Sequence, residues 1–247
     1  MRILFCFLAA ALSVAATPEQ LRMDVNTAVL PAEKLENDGY DWYQRHAAVL
    51  AVRDQINPEI VLIGDSITHF WGGEPKSICR GPKSFAETFA GLRVLNLGFG
   101  WDRTQNVLWR LIHGGFAGLK PRWVVLHVGT NNTSGTGNAR ANTPDEIAAG
   151  IKAICLKIQE LSPDTRILLM AVFPREEKPE AARRKTIAEI NRRICVLHDG
   201  KRIFYADIGP KMLQPDGTLS RDIMNDFCHP TEKGYEIWGA EINRYIR

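Results

Sequence analysis

The chain has 247 residues, of which 45% are apolar and 24% charged, and its formal net charge is +3. That balance excludes a disordered chain, a collagen-like repeat and a multi-span membrane protein. So small a charge over this length creates no field that demands a nucleic acid or an acidic membrane as partner.

Met1-Arg2 places one positive charge ahead of an apolar run over residues 3–14, and Val14-Ala15-Ala16 precedes Thr17-Pro18. This is the pattern of a secretory signal over residues 1–16, cut after Ala16. The mature chain is then expected to be secreted or periplasmic, without stable membrane insertion, because no later stretch is apolar enough to span a bilayer. Residues 17–57 read as a polar lead-in with one helix around residues 40–55, covering a sheet edge, and residues 58–247 as one domain. Beyond Cys6, the cysteines Cys79, Cys155, Cys195 and Cys228 are dispersed without a C-x-x-C pair, so zinc-ribbon and thioredoxin readings fail. An exported chain has room for one or two disulfides. Cys155 and Cys195, however, fall in helical apolar patterns that suit buried free thiols.

Five short apolar runs follow, at residues 60–63, 93–97, 123–128, 166–172 and 202–208, each leading into a stretch of helical period. After the third, Ile147, Ile151, Ile154, Ile158 and Leu161 step by four and three, which is one face of a helix. Thr143-Pro144-Asp145-Glu146 opens it with the spacing of a capping box. Residues 181–197 carry Ile187, Ile190 and Ile194 on one side of a further helix, and the last helix repeats the pattern with Tyr235, Trp238, Ile242 and Tyr245. Alternating strands and helices predict an α/β fold, a parallel five-stranded sheet with helices on both faces. Ligands of such sheets bind beyond the carboxyl ends of the strands.

At those ends stand Gly64-Asp65-Ser66, the stretch from Asn96 to Thr104, Gly129-Thr130-Asn131, and Asp226-Phe227-Cys228-His229. Each alone is ordinary turn or cap chemistry. Together they supply what ester hydrolysis needs: a nucleophilic hydroxyl in Ser66, a base in His229, and a carboxylate in Asp226 to orient that base. Oxyanion donors would be the backbone N–H of Ser66, an N–H of the loop after the second run, and the Asn131 amide. Pro230 biases His229 away from helical backbone and would start the last helix.

These four blocks resemble those of the SGNH (GDSL) hydrolase family. Residues 106–111 and 173–179 narrow the likeness to the branch holding the platelet-activating-factor acetylhydrolase catalytic subunits and secreted bacterial esterases. The resemblance implies a flavodoxin-like three-layer α/β/α sandwich, metal-independent hydrolysis through an acyl-enzyme without cofactor, and the roles already given to Ser66, Asp226, His229 and Asn131. One position departs from it, because the second-block glycine of the family falls on Trp101. A left-handed backbone there would strain a tryptophan. Either Gly100 donates to the oxyanion instead, or Trp101 takes an ordinary conformation and its ring walls the site, where it would suit a sugar face.

His69, Trp71, Trp101 and Arg103 are candidate substrate contacts, against the plainer reading of core packing or ion pairing. Neither a nucleophile elbow nor a dinucleotide fingerprint is complete, and the six histidines lack metal-ligand spacing. The Asn131-Asn132-Thr133 sequon is discounted, since a glycan there would block the site. The expected function is an exported serine esterase acting on small acyl esters, acetate above all, carried by a small molecule or a glycan. A lysophospholipid or other lipid ester is the enzymatic alternative. A non-catalytic carbohydrate-binding protein on the same fold is the alternative of another class.

Overall fold

The computed structural model describes residues 25–247, so the expected signal over residues 1–16 lies outside the described residues. The elements that position the site are, in chain order, α1 (Trp42–Ile56), β1 (Ile60–Gly64), α2 (Ser66–His69), α3 (Pro82–Thr88), β2 (Val94–Gly98) and α4 (Thr104–Arg110). They continue with β3 (Trp123–His127), α5 (Pro144–Leu161), β4 (Arg166–Met170), α6 (Ala182–Ile194), β5 (Ile203–Ala206), α7 (Gly209–Met212) and α8 (Glu232–Ile246). The five strands pair in parallel in the order β2-β1-β3-β4-β5.

β1, β2 and β3 are buried along their whole length, which is why they read as mainly apolar runs, broken only by Asn96 and His127, rather than alternating ones. Their side chains nevertheless divide between the faces. Val61 and Ile63 pack with Trp42, Val107 and the isoleucines of α5 and α6. Ile60 and Leu62 pack with Trp71, Tyr235, Trp238 and Ile242 on the opposite face. The result is the expected α/β/α sandwich. Chain order reverses beside β1, since β2 lies on one side of it and β3 on the other, and such a switch point leaves a crevice at the strand ends.

Boundaries differ from the apolar runs where side chains take over the ladder. β4 stops at Met170 although residues 171–173 stay buried. There the amide of Asn191 accepts from the Val172 N–H and donates to the Val172 carbonyl, ending the pairing. Residues 181–197 divide into α6 and a tight 3-10 turn over Cys195–Leu197. The α5 capping box is present, with the Glu146 N–H on Thr143 Oγ1 and the Thr143 N–H on Glu146 Oε2. The last helix begins at Glu232 behind the cap Thr231, so Pro230 precedes that helix instead of starting it. Cys79, Cys155, Cys195 and Cys228 are all free; Cys155 is buried, but Cys195 is only half-buried. Among the described residues no helix is long and apolar enough to cross a membrane.

Candidate active site

Ser66 is the first residue of α2, directly after β1. Asp65 turns the chain there, its Oδ1 accepting from the Ile67 N–H at 3.0 Å. Gly64 lets the turn sit close to the sheet, because a Cβ would lie 2.2 Å from both the His127 carbonyl and Thr68 Oγ1. The Asp65 carboxyl is buried and its Oδ2 has no partner, and burial raises its pKa to about 7.

His229 comes from the turn before α8. Its Nε2 lies 2.8 Å from Ser66 Oγ, and its Nδ1 2.7 Å from Asp226 Oδ2. A carboxylate only accepts, so Nδ1 carries the hydrogen and Nε2 accepts from the Ser66 hydroxyl. Phe227 adopts a left-handed backbone (φ 57°) between them. This turn lets Asp226 Oδ1 accept from the N–H groups of both Cys228 and His229. Burial acts to raise the Asp226 carboxyl, but the His229 N–H and imidazole together with the Cys228 N–H outweigh it and hold the group below its ordinary value. The Glu176 N–H donates to the Phe227 carbonyl, tying the turn to the loop after β4.

Opposite lies the loop after β2. The Asp102 N–H bonds the Phe99 carbonyl, closing a four-residue turn with Trp101 at its third position. Trp101 has φ 63°, the left-handed conformation that glycine favours at this place in a type II turn. Both readings of the loop therefore need correction. Trp101 is neither re-registered nor ordinary; it takes the glycine conformation, and the residue, 37% exposed, still lines the cleft. Gly100 is not free to serve as donor, because its N–H bonds His69 Nδ1 at 3.2 Å. The Trp101 N–H has no acceptor among the described residues. Asn131, following β3, donates one amide N–H to the Asp102 carbonyl at 3.0 Å, which leaves the other for a ligand.

Ser66, His229, Trp101 and Asn131 share one cleft of about 260 Å³ with Asp38, Arg175 and Cys228. A larger groove of about 750 Å³ runs along the β2 edge between Ile56, Phe85 and Val94, and holds none of these groups. Three expected substrate contacts lie elsewhere. His69 is buried, with Nε2 on Ser77 Oγ and Nδ1 on Gly100. Burial and the nearby Arg45 and Arg110 push its pKa down to about 2, so it is a neutral brace for the loop. Trp71 is core, stacked against both Tyr235 and Trp238. Arg103 turns away from the cleft to the carbonyls of Ser134 and Arg140. Among the described residues no group of three or more His, Cys, Asp or Glu side chains is placed to hold a metal ion.

Sequence reasoning missed a polar cluster behind the loop. Asp102, 2% exposed, meets Arg110 at 2.6 Å and accepts from Trp42 Nε1 at 2.7 Å. The Arg45 guanidinium donates to the carbonyls of Asn96 and Gly98. The lead-in is therefore more than edge cover, since α1 supplies two of these groups. Arg175, just past the fourth run, is a further residue that sequence reasoning did not place at the site. Arg175 lines the cleft, and its Nη1 is buried without a protein partner.

A sequence profile of the GDSL-like Lipase/Acylhydrolase family matches residues 62–237. The chain is 34% identical over 215 residues to the platelet-activating factor acetylhydrolase IB subunit alpha2 of Rattus norvegicus, covering 86% of each. It is 32% identical over 206 residues to the alpha1 subunit of Homo sapiens, covering 83% of this chain and 82% of that one. Among solved structures, a putative platelet activating factor from Streptococcus pneumonia superposes with a TM-score of 0.64 at 19% identity, over 83% of this chain and 94% of the other. Axe2, an acetylxylan esterase from Geobacillus stearothermophilus, gives 0.61 at 21% identity, over 76% and 93%. At such identities the structural likeness establishes the fold alone, whereas the sequence relatives and the profile reach further. The chain belongs to the GDSL-like lipase/acylhydrolase family, in the branch similar to the platelet-activating-factor acetylhydrolase subunits, and is a serine ester hydrolase.

Proposed function

We propose that the protein is an exported esterase that removes acetyl or similarly small acyl groups from carbohydrate, with Ser66 as nucleophile, His229 as base and Asp226 as its orienter. The observation that carries this reading is the unbroken Ser66–His229–Asp226 hydrogen-bond chain opening on the cleft that Asn131 lines. Ser66 Oγ attacks the ester carbonyl while His229 Nε2 takes its proton, and the imidazolium formed is stabilised by Asp226. Negative charge on the carbonyl oxygen is met by the N–H groups of Ser66 and Trp101 and the free amide N–H of Asn131. The imidazolium returns its proton to the departing alkoxide, leaving Ser66 acylated. Water, deprotonated by the same imidazole, then releases the carboxylic acid.

A cleft of about 260 Å³ suits a small acyl group, and the half-exposed Trp101 at its wall offers an apolar face to a sugar. The fold neighbour Axe2 is an acetylxylan esterase. A second reading, a lysophospholipid or other lipid ester, is favoured by the sequence relatives, which are platelet-activating factor acetylhydrolase subunits, and by Arg175, whose guanidinium suits a phosphate. Release of carboxylic acid compared on acetylated xylan, acetylated sialic acid, a lysophospholipid and platelet-activating factor separates them. Turnover of the sugars supports the first reading, and turnover of lipid alone replaces it with the second. Equal p-nitrophenyl acetate rates for the wild type and Ser66→Ala would remove both and leave a binding protein.

A further inference from the structure

We propose that Tyr40 and Trp42, which lie ahead of the family-matched residues 62–237, are positioning residues of the oxyanion hole, acting on it through Gly100 and Asp102. The inference rests on the proposed roles of Ser66, Trp101 and Asn131. Tyr40 Oη donates to the Gly100 carbonyl at 3.1 Å. That carbonyl and the Trp101 N–H belong to one planar peptide unit and point in opposite directions, so fixing one aims the other. Burial raises the Tyr40 phenol above its ordinary pKa, which keeps it a donor throughout the working pH range. Two residues on, Trp42 Nε1 donates to Asp102 Oδ1 at 2.7 Å, while Arg110 Nε and Nη2 hold Oδ2 at 2.7 and 2.6 Å.

With both carboxylate oxygens held, Asp102 has no rotational freedom, and its backbone does two things for the site. Its N–H closes the turn on the Phe99 carbonyl that carries Trp101, and its carbonyl takes one N–H of the Asn131 amide. Both donors from outside α2 are thus aimed by one residue, whose side chain is fixed by the lead-in on one side and by α4 on the other. Trp101 sits in a backbone conformation that a tryptophan does not favour on its own. An outside restraint is what such a turn needs, and Tyr40 and Trp42 provide it. Pre-aimed donors stabilise charge that develops only in the transition state, so their loss is felt in kcat and not in substrate binding.

Tyr40→Phe and Trp42→Phe each delete one donor and leave an aromatic ring in place. Each is expected to lower kcat for p-nitrophenyl acetate about tenfold with KM within twofold, less than the roughly 10²–10³-fold loss on deleting an oxyanion donor. Affinity for a trifluoromethyl ketone, which forms a tetrahedral adduct with the serine, should weaken by the same factor as kcat. Thermal unfolding of both variants provides the control for folding. Unchanged kcat in both variants, a loss confined to KM, or a kcat loss without the matching loss of ketone affinity would overturn the inference. Should the wild type and Ser66→Ala hydrolyse the ester equally, the reading of the nucleophile fails; should Ser66 prove essential while both variants keep full kcat, only the present inference fails.

Discussion

Trp101 offers a test in which the sign of the effect decides. In an ordinary backbone conformation alanine is more stable than glycine by about 0.4–1 kcal/mol, because glycine loses more freedom on folding. At φ 63° the order should reverse. A left-handed backbone costs a residue with a Cβ about 1–2 kcal/mol and glycine nothing. Trp101→Gly and Trp101→Ala lose the same indole, so its packing cancels between them. At the mid-values of the two terms Trp101→Gly is more stable than Trp101→Ala by about 0.8 kcal/mol. Urea unfolding of the two variants at 25 °C, with equal slopes, measures this directly. Both retain the backbone N–H, so both should keep kcat on p-nitrophenyl acetate within a few-fold of the wild type. Alanine equal to or more stable than glycine would refute the left-handed assignment, and with it the orientation argued for that N–H.

Asn131→Ala removes a side-chain donor and should lower kcat by about 10²–10³ with little change in KM, measured on the same ester. Arg175→Met should cut kcat/KM for an ester bearing a carboxylate or phosphate at least tenfold more than for a neutral one, because Arg175, without a protein acceptor at Nη1, lines the cleft; equal losses would assign it a structural role. Asp65 yields a pH-dependent prediction: burial raises its pKa from 3.8 to about 7. Between those values the unfolded carboxyl has lost its proton and the folded one has not, so this group's contribution to stability falls as pH rises through the window. Asp65→Asn keeps an acceptor for the Ile67 N–H and is free of this loss. Its stability relative to wild type should therefore improve from pH 4 to pH 8, by up to about 4 kcal/mol. A flat difference across that range in unfolding experiments would contradict it.

The parts of this molecule legible in the sequence are those whose signal is local. A strand buried on both faces is a mainly apolar run, and so β1 to β3 stand out, while β4 and β5, partly exposed, keep enough apolar residues to be read the same way. Ser66 and Asn131 are legible because they follow such runs closely, and Asp226 and His229 because they lie three positions apart. What escaped depends on direction or on distance along the chain. His69 and Trp71 are close to Ser66 in sequence, yet α2 turns Ser66 to the cleft while Trp71 enters the Tyr235–Trp238 stack. Arg103 neighbours the loop after β2 but faces the carbonyls behind it. Trp42 reaches Asp102 across 60 positions, with no spacing rule to link them. A buried aspartate beside a left-handed tryptophan is a tertiary solution, visible only once α1, α4 and the loop are assembled.

The central claim is that Ser66 is the attacking group and that His229 activates it. Incubation with a fluorophosphonate ester, followed by intact mass and peptide mapping, tests this most directly, because the reagent is captured by an activated serine. The account predicts one phosphonyl group per chain, on Ser66, with activity lost in proportion, no adduct on Ser66→Ala and a greatly slowed one on His229→Ala. Labelling at another residue, or full esterase activity in a chain modified on Ser66, would contradict it.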